Sequence, residues 1–171
     1  DDGAALRVQA CLSPVWDTGL AGLAMMEAGY GEGGPVIGAA AKWMMDRQIL
    51  DVEGDWKVNR GNLRPGGWAF QYRNDHYPDV DDTAVVAMAL HRTGDPIYRE
   101  AIERATEWII GMQSKNGGWG AFDADNQHYF LEHIPFADHG ALLDPPTADV
   151  TARCVSMLAQ LGYDKEHPCV A

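Results

Sequence analysis

VDDTAVVAMALHRTG, running from Val80 to Gly94, repeats an earlier stretch, VWDTGLAGLAMMEAG from Val15 to Gly29, at an offset of 65 residues. The same offset carries Trp43 and Gln48 onto Trp108 and Gln113. A third copy, DVTARCVSMLAQLG from Asp149 to Gly162, follows Asp81 to Gly94 at an offset of 68. Each copy begins after a turn containing Pro or Asp and stops at a glycine, as helix starts and C-terminal caps require. Internal repetition at this spacing marks a chain built by stacking one supersecondary unit.

Two kinds of helix alternate in the pattern. Segments near 18–28, 82–91 and 150–161 are apolar nearly all round, which predicts helices buried on every side. The segment at 96–113 instead sets Tyr98, Ala101, Ile102, Ala105, Trp108, Ile109 and Met112 on one stripe, and that at 36–48 does the same with Ile37, Ala40, Ala41 and Met44. These read as amphipathic helices with one wet face. An inner helix followed by an outer one, repeated, predicts an all-α fold of the α/α barrel or solenoid kind. About five helices cannot close such a ring, and the chain lacks an initiator Met. We therefore expect residues 1–171 to be a partial α/α barrel domain, a fragment of a longer protein.

Between the helices lie two glycine-rich turns, PGGWAF at Pro65–Phe70 and NGGWGAF at Asn116–Phe122. The run RATEWIIGMQSKNGGW, Arg104 to Trp119, joins one of them to an outer helix. The expected arrangement has the Gln113 amide satisfying a helix terminus with Trp119 covering it, a stiffening role rather than a chemical one.

Composition removes several functions. Of 171 residues, 13 are Lys or Arg and 25 are Asp or Glu, for a net charge of −12 with no local basic run. Nucleic-acid binding needs clustered cations, so no nucleic-acid partner is expected. No apolar stretch reaches the ~20 residues of a membrane span. Three cysteines, Cys11, Cys154 and Cys169, form neither a metal spacing nor an even disulfide set.

Chemistry concentrates in YPDVDDTA, where Asp79, Asp81 and Asp82 stand at the start of an apolar helix. A helix N-terminus favours anions and lowers their pKa values. Crowded like charges oppose this, so one member should keep its proton. A buried neutral carboxyl is what a Brønsted-acid catalyst requires. Asp79 and Asp82 share a face while Asp81 points elsewhere, so we assign the proton to Asp81 and a supporting charge to the flanking pair. Plain N-capping by one Asp with two solvated neighbours is the competing reading. A calcium loop is excluded by the apolar residues that follow at once, and a magnesium-type DDxxD by Val85. DADN at Asp123–Asn126 reads as a turn. Trp16 precedes Asp17 at the position matching Asp81 in the repeat, and Phe70, Phe122 and Phe136 fall in loops at helix ends. Aromatic faces attract cations by ~0.5–2 kcal/mol each, which would suit carbocation chemistry, although any single aromatic is more often packing.

SPVWDTGLA, YPDVDDTAVV, GMQSKNGGWGAFDADN and IPFADHG…DPPTADVTA together resemble the bacterial squalene–hopene cyclases over essentially the whole chain. The resemblance implies part of the catalytic α/α barrel of a two-barrel enzyme. It implies that Asp81 protonates the terminal alkene of squalene, that Asp79 and Asp82 tune it, and that a cation cascade ends in hopene or hopanol. Trp16, Asp17, Phe70, Phe122 and Phe136 match substrate-facing or cation-stabilising positions. Asp149 matches an acid orienting the partner of the catalytic Asp, and Arg153 stands where that partner is His in some members. Arginine cannot release a proton, so a fixed cation strengthening the acid replaces a proton relay. Phe122 stands where some members have Tyr, and His139 where an aromatic occurs. No metal and no organic cofactor is implied. The partners implied are squalene and a membrane lipid surface on the cytoplasmic side, with monotopic attachment and, in many members, a homodimer. The readings set against it are a noncatalytic helical-repeat scaffold, a class II terpene cyclase acting on another polyprene, and a prenyltransferase subunit, whose zinc set of Asp, Cys and His is not evident.

Overall fold

The structure, a computed structural model, describes residues 11–30, 34–126, 128–135 and 142–171. It contains five α-helices among the described residues: α1 (Pro14–Glu27), α2 (Pro35–Met45), α3 (Val80–Arg92), α4 (Arg99–Gly111) and α5 (Ala148–Gln160). Three short 3-10 turns, Asp55–Val58, Pro96–Tyr98 and Tyr129–His133, lie in the connections. The only extended pairing among the described residues is the single bridge between Trp68 and Asp79. Proline opens α1 and α2, where its missing N–H costs nothing and its fixed φ suits the first turn. The expected glycine stops are met: Gly29, Gly94 and Gly162 take φ of +82°, +69° and +93°, a backbone region that favours glycine.

The inner layer is α1, α3 and α5, with α3 packed between the other two. Outside it, α2 lies on α1 and α4 on α3. This is the alternation anticipated from the repeats. The expectation of three inner helices buried all round holds for α3, where Val80, Asp82 to Ala87, Ala89 and Leu90 are all buried. It fails for α1 and α5. Only Val15, Gly19, Gly22 and Met26 are buried on α1, and Val150, Cys154, Met157 and Leu158 on α5. The reason is position: α3 has an inner neighbour on each side, whereas α1 and α5 each have α3 on one side. The α1–α3 approach is close, since a Cβ on Gly19 would come within 2.8 Å of Val85 Cγ1.

The outer stripe of α4 packs as its sequence requires, with Ala101, Ala105, Trp108 and Ile109 buried. Four tryptophans, Trp56, Trp68, Trp108 and Trp119, are essentially inaccessible. Trp56 and Trp108 meet edge to face, with ring centroids 6.0 Å apart. Truncating any of the four to Ala should cost about 3–5 kcal/mol.

The Gln and Trp roles are exchanged relative to expectation. The indole N–H of Trp119 donates to the Ile109 carbonyl at 2.7 Å, and so serves the end of α4 itself. Gln113 reaches forward instead, donating to the Gly117 and Cys169 carbonyls. One repeat earlier, Trp68 Nε1 donates to Met44 at 2.7 Å, and Gln48 donates to Gly66 and Ala101, each at 2.8 Å. Indole is rigid and carries a single donor, so it suits a carbonyl already in the core, while the longer amide spans to the next unit. No described helix is long and apolar enough to cross a membrane.

Candidate active site

The first turn of α3 accounts for every orphan donor of its N-terminus. Asp79 is the N-cap, and its Oδ1 accepts from the Asp81 N–H at 2.8 Å and the Asp82 N–H at 3.3 Å. The Val80 N–H goes to the Ala121 carbonyl at 2.8 Å, and the Thr83 N–H to the Asp79 carbonyl at 3.0 Å. Nothing is left over for the carboxyls of Asp81 and Asp82. Oδ1 of each is buried and without a hydrogen-bond partner.

This changes the expected electrostatics. The helix terminus serves only the Asp79 carboxyl, because its N–H groups are consumed before Asp82 can use them, and at Asp79 and Asp82 desolvation prevails. Burial, opposed by the two amide bonds, pushes Asp79 up to about 6. Burial together with the charges of Asp79 and Asp81 raises Asp82 to about 8, with Arg153 pulling the other way. Of the flanking pair, Asp79 still carries a charge at pH 7 and Asp82 does not. Asp82, 1% exposed, is the member burial keeps neutral at pH 7.

Asp81 faces another way, as the spacing suggested. Its Oδ2 forms an ion pair with Nη1 of Arg153 on α5. The guanidinium carbon of Arg153 lies 5.0 Å from the ring centre of Trp16 on α1. Three inner helices therefore converge through an aromatic face, a cation and a carboxyl. Trp16, expected to face a substrate cation, here faces the cation of Arg153.

The other candidates are dispersed. Asp17 is exposed and accepts from Ser13 Oγ at 2.9 Å, though its charge still reaches Asp82. Asp149 is exposed at the start of α5, and its carboxyl is held low first by Thr147, then by backbone N–H groups, with Arg153 contributing least. It serves its own helix end more than it orients Arg153. Phe70 is half-buried, two residues beyond Trp68, whose carbonyl accepts the Asp79 N–H at 2.8 Å. Phe122, 40% exposed, directly follows Ala121, the residue that receives Val80. Both phenylalanine loops are thereby tied to the first turn of α3. Phe136 and His139 lie outside the described residues.

Two residues have roles the sequence reading did not assign, Thr83 within the YPDVDDTA run and Asp144 far from it. Thr83 Oγ1 accepts from the Trp68 N–H at 2.9 Å and donates to the Asp79 carbonyl at 2.7 Å. The repeated Thr at 18, 83 and 151 was the available signal. Asp144 accepts from three successive amides, those of Ala121, Phe122 and Asp123, and no local pattern announces it. Two surface clefts, of about 420 and 620 Å³, are lined by other residues and touch none of the three clustered carboxyls. Cys154, buried on α5, is held as an inert thiol by desolvation.

Comparison with known proteins gives a consistent picture. Residues 12–171 match the family model for the squalene-hopene cyclase C-terminal domain. The chain is 61% identical to a squalene-hopene cyclase of Schizosaccharomyces japonicus over 169 residues, covering 95% of this chain and 26% of that protein. It is 59% identical to a squalene–hopene cyclase of Zymomonas mobilis, covering 94% and 25%. A third, from Alicyclobacillus acidocaldarius, is 52% identical over 91% of this chain and 25% of its own length. The chain thus spans about a quarter of the length of the curated relatives it matches.

Proposed function

The chain belongs to the squalene-hopene cyclase C-terminal domain family, whose barrel is of the terpene cyclase α/α type, and from that membership we propose that the full-length protein is an acid-initiated triterpene cyclase with squalene as substrate. The observation that carries the reading is the asymmetry of the Asp81 carboxyl. One oxygen is paired with Arg153, and the other is buried and free of partners. A proton on Oδ1 is the one able to leave for an alkene carbon. The π pair takes the proton, the O–H electrons stay on Asp81, and the new carboxylate finds Arg153 already in place. A preorganised counter-charge of this kind stabilises the product of proton transfer without reorganisation.

Asp82 supplies the second requirement. At neutral pH burial keeps a proton on Asp82, and Asp82 passes it to Asp81 Oδ1, becoming the carboxylate in its place. The cation then travels along the folded chain, with Phe70 and Phe122 as its π faces. It ends by losing a proton to give hopene, or by capturing water and then losing one to give hopanol. Squalene has no polar group, so the enzyme takes it from lipid. From the family resemblance the reading also takes monotopic attachment at the cytoplasmic face of a membrane, and a homodimer.

The test is incubation of the full-length protein with squalene, followed by mass spectrometry of the extracted lipids. Pentacyclic product is the expected result. Recovery of unchanged squalene from folded protein would sink the proposal. A polycyclic product from a different polyprene alone would move the substrate assignment and keep the acid chemistry.

A further inference from the structure

The backbone amides of the turn that carries Phe122 are held by a carboxylate from outside it. Oδ1 of Asp144 accepts from the Ala121 N–H at 2.9 Å, and Oδ2 accepts from Phe122 at 2.5 Å and Asp123 at 2.7 Å. Three consecutive amides wrapped on one carboxylate form an anion nest, and charge-assisted bonds of this type are stronger than neutral ones. With those donors fixed, the Ala121 carbonyl meets the Val80 N–H at 2.8 Å, the first residue of α3. Asp144 thereby fastens an aromatic loop and the acid helix in a single geometry.

Asp144 is itself immobilised. Pro145 and Pro146 follow it, with φ locked, and the next residue, Thr147, donates its N–H to the Trp119 carbonyl at 3.1 Å. On the other side, Gly120 allows the close approach: a Cβ there would come within 2.5 Å of the Asp144 carbonyl oxygen and 2.8 Å of Oδ2. The charge of Asp144 also reaches Asp79, as the smallest of the causes that raise it.

We infer that Asp144 is a positioning residue, whose carboxylate sets where the Phe122 ring stands relative to the Asp79–Asp82 cluster. The inference rests on the cyclase reading above. A π face displaced by a fraction of an ångström would stabilise the wrong cation along the cascade, so its loss is read in the products as well as in the rate.

The test uses the full-length protein with Asp144→Asn. Asparagine offers one acceptor oxygen, and its NH2 group cannot accept the amides that Oδ2 now holds. Squalene turnover should fall on the order of tenfold to a hundredfold. The share of hydrocarbons that left the cascade with too few rings should rise several-fold, while the thermal midpoint stays near wild type. Wild-type products from folded Asp144→Asn, at wild-type or reduced rate, would overturn the inference, since a merely structural role scales turnover without altering the product pattern. If Asp144→Asn does not fold, Gly120→Ala presses on the same contact with the carboxylate intact. A shifted product pattern there supports the inference, and an unchanged one overturns it. Absence of polycycles from the wild-type protein would instead strike the cyclase reading, so the two failures are distinguishable.

Discussion

The entrances of α3 and α5 are the same construction with different contents. At α3, the Trp68 N–H donates to Thr83 Oγ1 at 2.9 Å and the Asp79 N–H to the Trp68 carbonyl at 2.8 Å. At α5, the Trp119 N–H donates to Thr151 Oγ1 at 3.1 Å and the Thr147 N–H to the Trp119 carbonyl at 3.1 Å. Asp79 and Thr83 map onto Thr147 and Thr151 at the repeat offset of 68, and Trp68 onto Trp119 at an offset of 51. Where α5 then buries Val150, α3 buries Asp82. A carboxyl at a position the repeat can fill with Val costs stability, so the scaffold is common to both and the chemistry is an addition to one.

The most severe way to break this contrast is Asp81→Asn in the full-length protein. Cyclisation should fall by about a thousandfold, within the range general acids contribute, with circular dichroism unchanged. Retention of a tenth of the wild-type rate would remove Asp81 as the donor. Arg153→Met comes next, with turnover falling on the order of tenfold to a hundredfold because the new carboxylate loses its counter-charge. Arg153 also holds Asp82 down. Its removal should therefore move the alkaline limb of the pH–rate profile, near Asp82's value of about 8, to higher pH. A limb that stays or moves down would contradict the pairing.

Asp82→Val imports the α5 residue into α3. A folded pKa of about 8 lies above the ~3.9 of an unfolded Asp. The native state therefore binds more protons in between, and stability falls as pH rises from about 4 to 8. The substitution should flatten that slope and stabilise the protein by on the order of 2 kcal/mol at pH 8, while lowering turnover. Urea midpoints measured across pH decide it, and an unchanged slope would acquit Asp82. Smallest are Thr83→Val and Thr151→Val, each expected to cost about 1 kcal/mol from the lost bonds. Only Thr83→Val should shift the pH–rate profile, because only Thr83 also holds the Asp79 carbonyl. Equal shifts in both would erase the distinction between the two entrances.

The repeats made the helices legible, since three copies of one apolar segment ending in glycine leave few alternatives for α1, α3 and α5. The YPDVDDTA run made the site's address legible for the same local reason. What the spacing of charges could not yield was their order of protonation. That depends on which N–H groups remain free after Asp79 and Ala121 have taken theirs, and Ala121 sits 41 positions from Val80 in the chain. The Trp16–Arg153–Asp81 convergence was likewise hidden, because it needs the packing of three helices. Asp144 was unreadable because its partners lie 21 to 23 residues away, with no periodicity joining them.

The exhausted start of α3 has one more consequence. Helix beginnings commonly cradle phosphate through unused amides, yet here all four are taken and three carboxyls stand guard. A diphosphate head would find no free backbone amide at this end of α3. An anion arriving there would have to turn to the Arg153 guanidinium, which Asp81 already occupies.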